Sequence, residues 1–454
     1  MSEQTFLPDE VGFKHKLAAR QRVGTVWGRF FWFANILALV ALITLFLSII
    51  NQSFGLVAVR YAIQPSELAD RPLEELNASD LALILRDNLG NRLRVAIRDA
   101  LSQVPSDQFT TAPLRQVLSG KIYPDNVGDK TINDLTPDEQ TSLLASNLSQ
   151  NELYDLVVNQ VVQPQVVASW LLWDSLTNRA AIETEAAERF PDALVQFRPW
   201  VTPRFVTTPI SSSATTAGLR TALLGSLWIV GITVLVAFPI GLGAAIYLEE
   251  YANDTWFNRI IETNIRNLAG VPSIIYGMLG LAVFVRAWVV FTSGGVFGVT
   301  DSNGRTVLSA ALTMALLILP VVIINAQEAI RAVPNSIREA SLGLGATQWQ
   351  TIWRQVLPAA LPGIMTGVIL AMSRAVGETA PLIVVGASTF IGIDPNGPFS
   401  KFTVVPIQIF QWTARPELEF KNVAAAAIIV LLVMVLLLNG TAIVLRQRFS
   451  RRLQ

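Results

Sequence analysis

The chain of 454 residues is 52% hydrophobic and only 15% charged, whereas soluble domains carry about 25% charged residues, so an ordinary soluble protein is excluded. Its formal net charge is zero, and it has no cysteine and a single histidine, His15. Disulfides and Cys-based metal sites are therefore excluded, and a His-based catalytic or zinc centre is disfavoured. We predict a membrane protein with no catalytic and no metal-binding residues.

Six apolar stretches are long enough to cross a bilayer, which takes about 20 residues. They are predicted at 30–50, 219–247, 268–291, 307–324 with a helical extension towards 330, 361–385 and 423–445. The first is longer than the apolar core of a signal peptide and lacks a good cleavage site, so we predict a retained anchor. The fold class is an all-α polytopic membrane protein with six transmembrane helices.

Basic residues at the two chain ends predict the orientation. The N-terminal tail, 1–29, holds five Lys or Arg residues. The last apolar stretch ends at 445 and is followed by Arg446, Arg448, Arg451 and Arg452, and the C-terminal tail is predicted at 447–454. Such residues stay on the cytoplasmic side. Both termini are therefore expected in the cytoplasm, which six spans allow. Residues 51–217 are then extracytoplasmic, and the loop 333–358 faces the cytoplasm.

The long segment between the first two spans, 51–217, is acidic and is called the insert below. It carries 13 Lys or Arg residues against 20 Asp or Glu, while the rest of the chain carries 21 against 14. Thr136 with Glu139 and Ser149 with Glu152 have the spacing of helix capping boxes, so we predict a mainly helical insert. It contains no metal or catalytic motif. A docking surface and a family-specific elaboration both stay open as its role.

The loop between the fourth and fifth spans reads REASLGLGATQWQTIWRQVLPAALPG over residues 338–363. Gly343 and Gly345 interrupt it, and four later residues have the i, i+3, i+4, i+7 spacing of a helical apolar face. These are Trp349, Ile352, Trp353 and Val356. We predict a short helix, a glycine break, and a second helix that lies along the membrane face. Such a helix can present a ridge to a soluble partner.

This loop resembles the EAA loop of bacterial ABC-importer permeases. The matching positions are Glu339, Ala340, Gly345, Leu357 and Pro358, while Ser341 and Gln355 depart from the pattern. The resemblance implies that the loop, with Gly343 in its break, forms a coupling helix that docks into an ATP-binding subunit. An amphipathic connector without a partner is the alternative.

Two charges lie within the predicted fifth span, in AMSRAVGETAPLIVVGA. Arg374 and Glu378 are four residues apart and are expected on one helix face, with Gly377 allowing another backbone to approach. A charge at the bilayer centre costs roughly 2.5–3.5 kcal/mol on insertion scales, so the two should pair or line a pathway. A guanidinium suits phosphate or another oxyanion. A structural ion pair and a substrate pathway both stay open.

Four further stretches resemble the permease subunits of phosphate ABC transporters, in particular the PstA type. They are RAVGETAPL, LAGVPSIIYGMLGL, GAAIYLEEYA and LGATQWQTIWRQVLPAALPGI, and the resemblance covers roughly residues 219–445. It implies a permease core at 218–446 that moves inorganic phosphate across the bacterial cytoplasmic (inner) membrane. The long insert departs from the compact pattern of that type.

The implied partners are a PstC-type permease subunit or a second copy of this chain, a dimer of PstB-type ATP-binding subunits, and a PstS-type phosphate-binding protein outside. The chain has no GxxxxGK[ST] motif. ATP and Mg²⁺ are thus expected on the partner ATPase, with no cofactor on this chain, no enzymatic activity of its own and no nucleic-acid partner.

Three rival hypotheses remain. A permease for sulfate, molybdate or another oxyanion differs only by the subfamily resemblance, because Arg374 suits any of them. A membrane sensor that uses the insert is disfavoured because neither tail reaches 30 residues. A membrane-embedded enzyme is disfavoured because the spans offer little beyond Arg286, Arg374 and Glu378.

Overall fold

The structure is a computed structural model that describes residues 10–102, 106–118, 121–123, 127–298, 303–387, 391 and 393–451. Five helices are long and apolar enough to cross a membrane, and a bent helix pair makes a sixth crossing if it counts as one span. Numbered 1 to 6 in chain order, the spans are Val23–Ser53, Arg220–Tyr251, the pair Trp256–Ala269 with Ser273–Ala287, Val307–Arg331, Gln348–Gly377 and Leu418–Arg448. The predicted helical, polytopic architecture of the membrane part is confirmed.

Spans 1 and 6 belong to helices that extend beyond the predicted apolar stretches. The first helix runs over 44 residues, Glu10–Ser53, so the described part of the N-terminal tail is helical and continuous with span 1. The last helix is Leu418–Arg451. Residues 1–9 and 452–454 of the two predicted tails lie outside the described residues.

Spans 2 and 4 form the tightly packed centre of the membrane part. Span 4 has buried side chains along its whole length, among them Ala311, Met314 and Ile318. A Cβ on Gly241 of span 2 would lie 2.7 Å from Val322 of span 4. Small residues at such contacts allow two helix backbones to approach closely, which stabilises helix association in a bilayer.

Span 3 is not the single helix predicted at 268–291. The helix Trp256–Ala269 ends at Gly270, and the chain bends by 106° before the next helix begins at Ser273. Pro272 explains the break, because a proline disfavours helical backbone in the residue before it. Beyond the bend, Ser273–Gly280 continues as the π-helical segment Leu281–Ala287 and the short helix Val289–Thr292.

Span 5 starts earlier than predicted. One helix begins at Gln348 in the loop, passes through a π-helical turn at Ile352–Val356 and runs on as Leu357–Gly377. The predicted start at residue 361 therefore lies inside a continuous helix. The predicted surface helix and the fifth span are therefore one element. Pro358 and Pro362 lie within it and do not interrupt it.

A further helix, Val405–Thr413, lies between spans 5 and 6 and was not predicted. It is followed by span 6, and Trp412 is 1% exposed. A short helix, Ala380–Val385, precedes it. Both are too short to be read as spans from their apolar content.

The insert contains a three-stranded antiparallel sheet of order β2-β1-β3 that the sequence did not predict. The strands are β1 at Phe54–Arg60, β2 at Gln165–Ser169 and β3 at Leu194–Pro199. The central strand β1 follows the first helix directly, and its residues 56–59 are at most 1% exposed. In the sequence, the apolar residues of β1 follow those of span 1 directly, so the strand cannot be distinguished from the end of the span.

The rest of the insert is mainly helical, as predicted. Its α-helices are Pro65–Leu68, Ala78–Leu89, Leu93–Leu101, Ser106–Thr111, Leu114–Val117, Pro137–Asn147, Gln150–Val157, Leu172–Thr177, Arg179–Arg189 and Pro203–Thr207. Both predicted capping boxes are confirmed, at Thr136 with Glu139 and at Ser149 with Glu152. The helices enclose an apolar core of their own.

The insert also packs directly onto the membrane part. The rings of Phe205 and Trp412 are 6.1 Å apart, and both side chains are buried in a cluster shared with span 6. The Asn422 side-chain amide donates a hydrogen bond to Ser169 on β2, at 2.6 Å. The insert is therefore seated on the helices and not attached by a tether.

Two glycines of span 2 test this packing. A Cβ on Gly225 would lie 2.1 Å from the backbone oxygen of Thr403, whereas nothing lies within 4 Å of a Cβ on Gly231. Gly225→Ala is expected to lower the free energy of unfolding by about 1–3 kcal/mol, the usual effect of overpacking. Gly231→Ala is the matched control. Thermal unfolding midpoints in detergent measure both, and equal midpoints would contradict the close contact.

Candidate functional site

The loop between spans 4 and 5 forms two helices joined by a tight turn. The first helix is Asn335–Gly343. Gly345 has φ +83°, a left-handed conformation that glycine adopts at no steric cost. Thr347 and Gln350 then form a capping box at the start of the second helix. The predicted helix, break and helix are present, with Gly343 ending the first helix and Gly345 making the turn.

The predicted apolar face of the second helix is divided between two directions. Ile352 and Val356 are at most 1% exposed and belong to a buried cluster with residues of span 4. Trp349 and Trp353 are 56% and 59% exposed, and their rings stack at 5.5 Å. The expectation of one face is therefore wrong: one pair anchors the helix and the other is presented outwards.

Exposed apolar side chains define what is called the loop surface: Leu342, Leu344, Trp349 and Trp353. Leu344 is 91% exposed. Glu339, Ala340 and Gly343 are also exposed, whereas Leu357 is buried and Pro358 is half-buried within the helix. Exposed apolar surface of this kind is typical of a contact with another protein or with a membrane. Of the residues predicted for coupling, those of the first helix and the turn are available to a partner.

A buried ion pair that sequence reasoning missed holds the loop in place. Arg338 contacts Glu250, at the end of span 2, with Nη2 to Oε1 at 2.8 Å and Nε to Oε1 at 3.1 Å. The two side chains are 19% and 8% exposed. Arg338 also donates to the carbonyl oxygens of Ile330 and Val333, at 3.0 and 2.7 Å. One side chain thus joins the ends of spans 2 and 4 to the loop.

Further polar contacts surround this pair. Arg331 contacts Glu249 at 2.6 Å, the Gln348 side chain donates to the backbone oxygen of Glu250, and the Ser341 and Thr351 hydroxyls lie 2.9 Å apart. The only sequence signal was the adjacent pair of glutamates in LEEYA. It did not indicate which arginines they would meet.

Arg374 and Glu378 form an ion pair, with Nε to Oε1 at 3.3 Å. The helix ends at Gly377, so Glu378 stands just beyond the helix and not on its face as expected. The Arg374 side chain is 46% exposed and Glu378 is 22% exposed. Within the described part of the chain, the guanidinium makes a hydrogen bond to Glu378 alone.

Contacts with span 6 place this pair inside the membrane part. Arg446 donates to Thr366 at 2.9 Å, and Ser373 donates to Asn439 at 2.6 Å. Arg374 is eight residues beyond Thr366, or about 12 Å along an α-helix. The pair is therefore about two helical turns in from the basic end of span 6.

The close backbone approach near this pair involves a different glycine from the one predicted. Nothing lies within 4 Å of a Cβ on Gly377. A Cβ on Gly277 of span 3 would instead lie 2.7 Å from the Cα of Pro381. Span 3 and the short helix after Glu378 are thereby packed together.

Comparisons with known proteins agree with this architecture. Residues 237–454 match the family described as binding-protein-dependent transport system inner membrane component. The phosphate transport system permease protein PstA of Pasteurella multocida is 33% identical over 223 residues, which cover 49% of this chain and 74% of that protein. PstA of Haemophilus influenzae is 35% identical over 46% of this chain and 68% of that protein.

Two other similarities are looser. The probable ABC transporter permease protein YqgI of Bacillus subtilis is 34% identical over 46% of this chain and 66% of that protein, just under two thirds of its length. A crystal structure of a bacterial alginate ABC transporter overlaps 61% of this chain and 91% of its own at 15% identity, with a TM-score of 0.41, too loose to support an argument. By the family match and the PstA similarities, this chain belongs to the binding-protein-dependent inner-membrane permeases of the PstA type.

Proposed function

We propose that this chain is the permease subunit of an ATP-driven importer that moves inorganic phosphate across the bacterial cytoplasmic membrane. The observation that carries the proposal is the similarity to proteins named as phosphate permeases, including PstA 1 of Mycobacterium tuberculosis at 37% identity. The loop surface and the ion pair of span 5 provide the two functions that such a subunit needs. These are a contact for the ATPase and a group that attracts the anion.

The proposed coupling element is the loop surface. Leu344, Trp349 and Trp353 would enter a groove of a PstB-type ATP-binding subunit, with Glu339 and Ala340 beside them. The ATP and Mg²⁺ would be bound by that subunit. Since Trp349 and Trp353 lie on the helix that continues to Gly377, a displacement of the loop moves span 5 as a rigid body. Arg374 lies roughly 39 Å along this helix from Gln348 at 1.5 Å per residue.

The proposed substrate group is Arg374. Its guanidinium offers a planar set of donors that fits two oxygens of a phosphate. Glu378 orients these donors and, by repulsion, would disfavour the fully ionised anion. Because the helix ends at Gly377, the Glu378 carboxylate can leave the guanidinium without any movement of span 5. Phosphate would then replace the carboxylate as the partner of Arg374.

The proposed assembly follows from the orientation that the basic residues of the two tails predict. Both termini and the loop surface would face the cytoplasm, because basic residues are concentrated in the two tails. The insert would then face a PstS-type phosphate-binding protein. A PstC-type subunit or a second copy of this chain would complete the pathway within the bilayer. None of the side chains in the apolar window of span 1 is buried within this chain, which leaves room for that second subunit.

Removal of Arg374 tests the substrate proposal. Arg374→Ala should lower phosphate uptake roughly 10- to 100-fold, because a hydrogen bond to a charged group contributes about 1.5–3 kcal/mol. Arg374→Lys should restore part of it, since the charge remains but the planar fork is lost. Uptake of radiolabelled phosphate is measured in cells that lack other phosphate importers.

The matched control is Arg286→Gln, which removes an exposed arginine of span 3 that is distant in sequence from the pair. Sulfate and molybdate uptake are measured in parallel. Full phosphate uptake by Arg374→Ala at an equal amount in the membrane would overturn the role of Arg374. Loss of sulfate or molybdate uptake alone would identify another oxyanion as the substrate.

A charge on the loop surface tests the coupling proposal. Leu344→Asp should abolish co-purification of the ATP-binding subunit, because an unpaired carboxylate would be buried in the contact. Leu176→Asp, at a position of the insert that is 69% exposed, is the control. Retention of the subunit at the wild-type ratio by Leu344→Asp would show that the ATPase docks elsewhere.

Removal of the buried charges of Arg338 and Glu250, singly and together, tests whether this ion pair holds the loop in place. Arg338→Ala leaves Glu250 buried and unpaired, which typically costs about 3–5 kcal/mol, so phosphate uptake and the unfolding midpoint should both fall. Glu250→Ala should have a similar effect, and the double variant Arg338→Ala with Glu250→Ala should lose less than the sum. Strict additivity in this double-mutant cycle would argue that the two side chains do not depend on each other.

A further inference from the structure

The helix Trp256–Ala269, called the transverse helix, lies between span 2 and the bend of span 3. Thr255 caps its N-terminus by accepting a hydrogen bond from the backbone N–H of Asn258, at 3.3 Å. Its axis is turned by 106° from the segment Ser273–Ala287 that enters the membrane part. None of its residues is buried. It therefore runs across the ends of the spans and presents most of its surface outwards.

The transverse helix has three distinct faces. On its inner face, Ile261 and Ile265 are half-buried, and Ile265 packs against the cluster that contains Ile330. Its outer apolar face consists of exposed side chains: Trp256 at 73%, Phe257 at 58%, Ile260 at 47% and Leu268 at 45%. Successive residues of a helix are turned by about 100°, so these four positions fall within one third of its circumference. The exposed side chains of Asn264 and Asn267 share this third, and that of Asn264 donates a hydrogen bond to the backbone oxygen of Ile260.

The remaining third of the circumference is charged. Arg259 contacts Asp254 through two hydrogen bonds, at 2.7 and 3.0 Å, and Arg266 contacts Glu262 at 2.7 Å. Arg259 and Arg266 are 69% and 59% exposed. Ion pairs with this exposure are readily solvated by water. Exposure of the apolar face beside them to water is unfavourable.

We infer that the transverse helix lies in the plane of the membrane, with its outer apolar face in the boundary between lipid headgroups and acyl chains. Both of its ends are joined to membrane spans, so the helix stands at the level where the bilayer surface begins. Trp is typical of that level, and a helix with Trp, Phe or Leu on one face and charged residues on the other binds there. The partner of this face is therefore the lipid bilayer.

This position has a consequence for the loop. The transverse helix follows directly on the end of span 2 that holds Glu249 and Glu250, the partners of Arg331 and Arg338. A helix fixed in the lipid surface keeps this end of span 2 at a constant depth. The ion pairs then join the loop to this end of span 2, so the two are expected to move together. The inference does not depend on which substrate the chain transports.

Site-directed spin labelling tests the inference, and the chain has no cysteine to remove. Single substitutions at Trp256, Phe257 and Ile260 label the outer apolar face, and Arg259→Cys, Thr263→Cys and Arg266→Cys label the charged side. Leu235→Cys in span 2 is the lipid reference, and Leu176→Cys in the insert is the water reference, at 74% and 69% exposure. The protein is studied with its partner subunits in phosphatidylethanolamine and phosphatidylglycerol vesicles.

Collision rates with oxygen and with a water-soluble nickel complex are measured for each label. The three outer-face labels should resemble Leu235→Cys, with oxygen collisions in excess and nickel collisions at least about fivefold fewer than on the charged side, as expected for the apolar face of an interfacial helix. Frequent nickel collisions at all six positions would place the helix in water. Few collisions with either reagent at the outer face would show that a protein covers it. Either result would overturn the inference.

Discussion

The buried contact between Arg338 and Glu250 is the interaction on which the arrangement of the membrane part around the loop depends. Removing two charges from water is costly, and such a pair is stable only when further hydrogen bonds satisfy its remaining donors. Arg338 meets this condition by donating to the carbonyl oxygens of Ile330 and Val333. Ile330 lies in the last turn of span 4 and Val333 just beyond it, where carbonyl groups lack the regular α-helical partner four residues on. The Ile330 carbonyl also accepts a backbone hydrogen bond from Val333, at 3.2 Å. A single side chain thus neutralises Glu250 and caps a helix.

The position of the loop is transmitted to the interior by helix continuity. No break separates Gln348 from Gly377, although Pro358 and Pro362 lie in this helix, as Pro239 and Pro320 do in spans 2 and 4. Packing against neighbouring helices compensates for the missing hydrogen bonds in a bilayer. The chain breaks only at Glu378, next to Arg374. The end of the long helix therefore lies beside the ion pair of Arg374 and Glu378.

The insert is a second folded unit, at the opposite end of the membrane part from the loop. Its sheet begins where the first helix ends, and its C-terminal helix packs through Phe205 onto Trp412. Tyr154, which lines a cleft of about 850 Å³, has a pKa raised to about 12, mainly by burial and in addition by the negative charge of Glu74. The insert is thus a folded unit with its own core and an apolar seat on the spans.

The sequence by itself determined the membrane class, the apolar stretches that become the long helices, the two capping boxes and the glycine turn at Gly345. These features depend on local properties: length, hydropathy, and hydrogen bonds between residues three positions apart. The pairing of Arg374 with Glu378 was also within reach, because helical spacing brings residues four apart together even where the helix then ends.

Only the tertiary structure decided which residues distant in sequence come into contact. Glu250 and Arg338 are 88 residues apart, and no local pattern records their contact. The strands of the insert pair across more than 100 residues, so the run at 54–60 could not be distinguished from the end of a span. The division between Ile352 and Trp353 likewise follows from the position of span 4. Periodicity identifies the apolar side of a helix, but the direction of burial is set by the neighbour it packs against.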